Sequence, residues 1–235
     1  MDTQTRHALK GDKFAQATAD SFSWLSGHRS GVLRWVIGGV VAILFVIGAL
    51  VFWSMRSTAA DTALGTAMDT YNAPLAQPGL PAGNGVYATA ADRTKAANKQ
   101  FAAVAQQYSW MSQGTKARYF EGITDAELGQ NASAETELKA AAKSWDRNIS
   151  NLAKLALAGL YHHTSRDAQA IDMYNQLIAK PSQTVSAEVA QLDLADLYAD
   201  QGRQDQARAL WARVKDQDKE GAAGAIATQK LGAKQ

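Results

Sequence analysis

Between Trp35 and Met55 the chain runs for 21 residues without a charge, WVIGGVVAILFVIGALVFWSM. As an α-helix this run is about 31 Å long, close to the thickness of a bilayer's hydrocarbon core. Twelve of its residues are Val, Ile, Leu or Phe. At ~0.3–0.6 kcal/mol each, they contribute roughly 4–7 kcal/mol toward spanning. Arg34 closes the run where its stem can reach the headgroups, and Trp35 at one edge with Phe52 and Trp53 at the other mark aromatic belts. A buried core helix of this length would carry a polar face. A cleaved signal peptide has an apolar stretch of only ~7–15 residues close to the N-terminus, whereas this run follows 34 residues of polar and amphipathic chain. The reading is an uncleaved transmembrane helix over residues 32–55.

Orientation follows from the flanking cations. Arg6, Lys10, Lys13, Arg29 and Arg34 precede the run; only Arg56 follows closely, and the next basic residue is Arg93. This bias predicts a cytoplasmic N-terminus and a translocated C-terminal part, which in a bacterium means an inner-membrane protein with a periplasmic domain. Within the run, Gly38 and Ala42 form a small-xxx-small step of the kind that seats a partner helix in a membrane. Residues 1–31 form the cytoplasmic arm. Over 8–28 Phe14, Thr18, Phe22 and Leu25 fall near one helical face, with Trp24 close to the membrane. Two readings of this arm stand: an amphipathic helix lying on the bilayer, or a tail that only supplies positive charge for topology.

Residues 56–235 contain no cysteine, which excludes disulfides, thiol nucleophiles and cysteine-bound metals. The whole chain carries 24 Lys+Arg against 22 Asp+Glu, too even a balance for a nucleic-acid binder. Self-comparison is more informative. Gly122, Gly129, Ala134, Leu138 and Ala141 match Ala158, Ser165, Ala170, Tyr174 and Leu177 at a spacing of 36 residues. At a further 37 residues come Ala195, Gly202, Ala207, Trp211 and Val214. Leu157 and Tyr161 likewise match Leu194 and Tyr198, while Pro181 closes the second copy. Small residues at fixed offsets let two antiparallel helices approach, and large ones at helical spacing fill the space between hairpins. A split copy precedes these, with Ala97, Phe101 and Val104 as its second helix and Leu64-Gly65-x-x-Met68 in its first. The Pro- and Gly-rich stretch 74–90 separates the two halves, and a loop of that length is either functional or disordered. The copies fall near 58–110, 115–147, 151–181 and 186–218, and residues 221–232 resemble a capping helix.

These residues resemble the tetratricopeptide repeat, a helix-turn-helix unit that stacks into an α-solenoid. The predicted fold class is therefore all-α: one N-terminal transmembrane helix followed by a tetratricopeptide-repeat-like solenoid. The full layout is similar to the single-pass periplasmic repeat family whose best-known member is an ancillary subunit of the bacterial Sec translocon. That resemblance implies a scaffold joining the translocon to periplasmic chaperones or client peptides. It implies no catalytic residue and no cofactor. A coordinator of cell-envelope or division machinery is the alternative, against which the lack of a sustained heptad counts.

The search for chemistry agrees with a non-enzymatic reading. His162 and His163 are adjacent and point ~100° apart on a helix, so they do not chelate as an i, i+4 pair would. No P-loop, G-x-S-x-G or H-E-x-x-H occurs, and no metal site is expected. Asp193, Asp196 and Asp200 share a helix face that reads as solvated. The concave face of a solenoid is its default binding surface. Repeat register offers to it Tyr119, Ile123 and Glu127, then Leu155, His162 and His163, then Leu192, Asp196 and Asp200. This face is mixed apolar and increasingly acidic, suited to an amphipathic or basic peptide segment.

Overall fold

The computed structural model describes residues 29–77, 81–83 and 85–232. The amphipathic arm anticipated over 8–28 lies outside these residues. Nine helices occur among them: α1 (Arg29–Tyr71), α2 (Ala90–Gln107), α3 (Ser112–Glu127), α4 (Asn131–Ala142), α5 (Arg147–His163), α6 (Asp167–Ala179), α7 (Ala187–Asp200), α8 (Gln204–Gln217) and α9 (Ala222–Gly232). The fold class is all-α, as the periodicity predicts. The chain divides into two units, residues 1–56 and 57–235.

The first unit contains the apolar part of α1. Its large side chains are open to the surroundings from Trp35 (84% exposed) through Phe45 (77%) to Met55 (70%). A helix apolar on every side and covered by nothing is long and apolar enough to cross a membrane. The sequence reading treated the span and the first repeat helix as separate elements. In the structure they are one helix of 43 residues. No proline interrupts it, and the junction Ser57-Thr58-Ala59-Ala60 is easily helical.

The second unit is a row of helical hairpins. Residues 57–71 of α1 pair with α2, α3 with α4, α5 with α6 and α7 with α8, and α9 follows. Three apolar clusters run along the row. The first holds Ala60, Ala67, Ala97, Phe101, Tyr108 and Ala117, with Phe101 stacked on Phe120 at 5.2 Å. The central cluster joins Leu138, Leu157, Tyr161, Tyr174, Leu177 and Leu197. The last joins Leu192, Ala207, Trp211 and Val214 to Ala223 and Ala227 of α9. Alanines at register positions permit close approach, and at Gly122 even a methyl is excluded: a Cβ there would lie 2.7 Å from Leu138 Cγ.

The turns inside the last three hairpins are the same motif. In each, a helix-ending residue has positive φ: Gly129 (74°), Ser165 (58°) and Gly202 (76°). The next amide donates back to a carbonyl five residues earlier: Gln130 to Asp125 (2.8 Å), Arg166 to Tyr161 (2.7 Å) and Arg203 to Tyr198 (2.8 Å). This Schellman closure satisfies carbonyls that a helix end leaves open. In the last two, the arginine also lies over the tyrosine ring, Arg166 on Tyr161 at 4.5 Å and Arg203 on Tyr198 at 4.2 Å. The first hairpin instead closes through a long connection. In its described part Ala76 and Tyr87 are joined by a 2.8 Å backbone bond, and Gly83 and Val86 exchange two more.

Candidate functional site

The first helices of successive hairpins line one face of the row, and between the second and third hairpins that face opens into a pocket of about 400 Å³. Ile123 and Ala126 of α3 form one wall, and Ala156, Gly159, Leu160 and His163 of α5 form the other; Leu138 and Asn131 close the floor and end. Gly159 faces open space here, since a Cβ placed there would meet nothing within 4 Å. The pocket is largely apolar with an imidazole and an amide at its rim, a composition that receives one or two apolar side chains of a peptide.

The structure sorts the anticipated groove residues into different roles. Ile123 and His163 come together in this pocket. Tyr119 and Leu155 are half-buried against the central core; Tyr119 meets Phe120 edge-on at 5.0 Å, and burial pushes its hydroxyl pKa up. Leu192 is buried at 7% exposure beside Trp211 and Val214. It belongs to the core rather than the groove surface, because α8 and α9 close over it. Glu127 is committed to the scaffold: it accepts from Tyr71 Oη at 2.5 Å and Thr94 Oγ1 at 3.1 Å, tying α3 to α1 and α2. Burial first, then the hydrogen bond to Glu127 and its charge, raises the Tyr71 pKa to about 12.

At the other end of the face, Asp196 accepts from Trp211 Nε1 (3.2 Å) and Lys230 Nζ (2.8 Å). With Asp200, Ala199, Trp211 and Lys230 it lines a second pocket of about 200 Å³. The acidic end is thus less acidic than the sequence suggested, for Lys230 of α9 neutralises Asp196. Burial, and then the Asp196 charge, raises the Asp193 pKa to about 6. His162 bridges the last two hairpins. Its Nδ1 lies 2.8 Å from Asp167 Oδ1 and its Nε2 3.3 Å from Asp200 Oδ2, while Gln201 Nε2 donates to Asp167 Oδ2 at 2.7 Å. The Asp167 hydrogen bond leads in holding the imidazole pKa above its ordinary value, against burial. His162 is therefore a joint between repeats. Gly38 and Ala42 lie on the exposed apolar helix, outside the repeat unit. Among the described residues, no three His, Asp or Glu are grouped to hold a metal ion.

Gly159 escaped the sequence reading, though a signal was present. It stands 36 residues after Ile123 and 37 before Asp196, at the same register.

Helical hairpins stacked in register, closed by repeated turns and capped by a solitary helix, define an α-solenoid of the tetratricopeptide type. The chain belongs to the tetratricopeptide repeat-like domain family, whose model matches residues 32–233. The match takes in the apolar helix as well as the hairpins. No curated protein and no solved structure matches the chain significantly. Domains of this class generally mediate protein–protein interaction and act as scaffolds rather than enzymes.

Proposed function

We propose that this chain is a membrane-anchored adaptor whose repeat groove holds an amphipathic or basic peptide segment of a partner. The observation that carries the reading is the apolar pocket between α3 and α5, where Gly159 presents no side chain. An apolar anchor side chain enters it, and Asp200 farther along the face, 70% exposed at its side chain, favours a basic flank. The uncharged helix with its cationic N-terminal flank supports a single span in a bacterial inner membrane, N-terminus cytoplasmic and repeat domain periplasmic. Gly38 and Ala42 then offer a flat seat for another membrane helix. Together with the resemblance of the layout to the ancillary Sec subunit family, this supports a link between the translocon and periplasmic chaperones or emerging clients.

The test is site-specific photo-crosslinking in cells from Ile123 in the groove, from Gly38 on the span, and from Thr136 on the exposed side of α4. The reading expects chaperones or nascent chains captured from Ile123, Sec channel subunits from Gly38, and neither from Thr136. Gly159→Trp, which fills open space, should abolish the Ile123 adducts while leaving helicity intact. Division or cell-wall proteins captured from both sites would overturn the translocon assignment. Equal capture from Thr136 would overturn the groove.

A further inference from the structure

The loops that join one hairpin to the next lie at the opposite end of the row from the Schellman turns, and two of them carry exposed tryptophans. Trp110, between α2 and α3, is 53% exposed, and Trp145, between α4 and α5, is 92% exposed. A tryptophan so open in a folded domain gains nothing from water, and its amphipathic ring is the residue preferred where hydrocarbon meets headgroups. Beside Trp145 lies a pocket of about 300 Å³ whose lining includes Ser109, Thr115, Arg118, Lys143 and Ser144. Arg118 also pairs with Glu137 at 3.4 Å. The neighbouring loop acid, Asp146, caps α5 by accepting from the Asn148 amide. Lys143 and Arg147 are exposed on either side of it. The pocket thus offers the Lys143 ammonium and the Arg118 guanidinium, the latter shared with Glu137, beside hydroxyls and an indole, groups that can receive an anionic phospholipid headgroup.

The same end of the row is where the repeat unit begins. Gln113, just after the Trp110 loop, donates to Asp61 Oδ1 at 2.8 Å and to Ser57 Oγ at 3.4 Å. Ser57 is two residues beyond Met55, the last residue of the uncharged run. We infer that this edge of the repeat domain, centred on Trp145, Arg118 and Lys143, docks on the leaflet from which the chain emerges and holds an anionic phospholipid headgroup. This rests on the proposal that α1 spans the membrane.

The absence of cysteine from the whole chain allows one introduced thiol to report one place. Full-length Ser112→Cys (the docking edge), Ala132→Cys (the far end of the hairpins) and Phe45→Cys (the middle of the span) would each carry an environment-sensitive fluorophore in nanodiscs. Nitroxide-bearing lipids are the quencher, with the label at the headgroup or deep in the acyl chain. The expected result is quenching at residue 112 by headgroup nitroxide in phosphatidylglycerol discs, little at residue 132, and quenching at residue 45 by the deep label. Quenching at 112 should fall roughly two-fold or more in phosphatidylcholine discs, with Arg118→Gln plus Lys143→Gln, or with Trp145→Ala. Quenching at 45 without quenching at 112 overturns the docking and leaves the anchor. No quenching at 45 overturns the anchored reading itself. Equal quenching at 112 in both lipids overturns the headgroup assignment.

Discussion

Glu121 shows how one side chain can oppose the repeat it belongs to. It stands at the register where Leu157 and Leu194 form core in the next two copies. Burial, reinforced by Glu137 and Asp125 and opposed by Arg118, pushes its pKa up to about 7. The raised value means that the folded state binds the proton more tightly than the unfolded chain. Stability associated with this group is full below its ordinary value of 4.5 and is lost as pH rises through about 7. Glu121→Gln should therefore leave stability almost unchanged at pH 4 and raise it by about 1–2 kcal/mol at pH 8, given partial solvent screening. Thermal unfolding of both proteins at the two pH values checks this; an equal change at both would place the effect in packing rather than charge. The neighbouring Asp125 stands where Tyr161 and Tyr198 stand in later copies. It is buried, accepting from Asn98 Nδ2 at 2.7 Å and Ser133 Oγ at 2.6 Å. The second hairpin has replaced an aromatic contact with a polar one at that position.

At the scale of elements, the Schellman turns invite comparison because they differ in one residue. Gly129 and Gly202 take positive φ freely, whereas Ser165 does so against the steric preference of an L-residue. Ser165→Gly should stabilise the domain by about 0.5–1 kcal/mol, the relief of left-handed strain less the entropy of a freer unfolded chain. Gly202→Ser should destabilise it by a similar amount. Chemical denaturation midpoints of the two variants check the pair, and shifts of the same sign would sink the account. These turns were legible in the sequence through glycines spaced at the repeat period, as were Leu138, Tyr174 and Trp211 as the large residues between hairpins. What was not legible has physical reasons. Leu192 read as groove because the first-helix register matches Tyr119 and Leu155, yet α8 and α9 close over it at the end of the row. Asp196 read as acidic surface because its neutraliser, Lys230, comes from a helix 34 residues away. Gly159 was passed over because a missing side chain leaves no mark in a search for binding groups.

Across the whole molecule, the titratable groups that join elements give the repeat domain a direction in pH. Among the acids and histidines, three carry raised values: Glu121 in α3, His162 between the last two hairpins and Asp193 in α7. Each contributes stability that is present at low pH and lost as pH rises through its folded value. For Glu121 and Asp193 the loss is complete above about pH 7, and for His162 it continues beyond the imidazole's ordinary 6.5. Two groups oppose this. Asp167, held down first by His162 and then by Gln201, and Glu135, held down by Lys139 and Arg166, contribute above their ordinary values of 3.8 and 4.5 and lose that contribution in acid. The sum is a maximum of stability at about pH 4, falling toward pH 8. Glu135 accepts from Arg166 Nη1 and Lys139 Nζ at 2.6 Å each, and His162 links Asp167 to Asp200, so the same groups bind one hairpin to the next. Melting followed by circular dichroism from pH 3 to pH 8, on the full chain in detergent, should show this maximum. In His162→Gln the decline above pH 6.5 should be shallower, while the Glu121 and Asp193 contribution between pH 4.5 and 7 remains. A midpoint that stays level from pH 5 to pH 8 would mean that the buried carboxyls are hydrated and that the hairpins are held together by their apolar clusters alone.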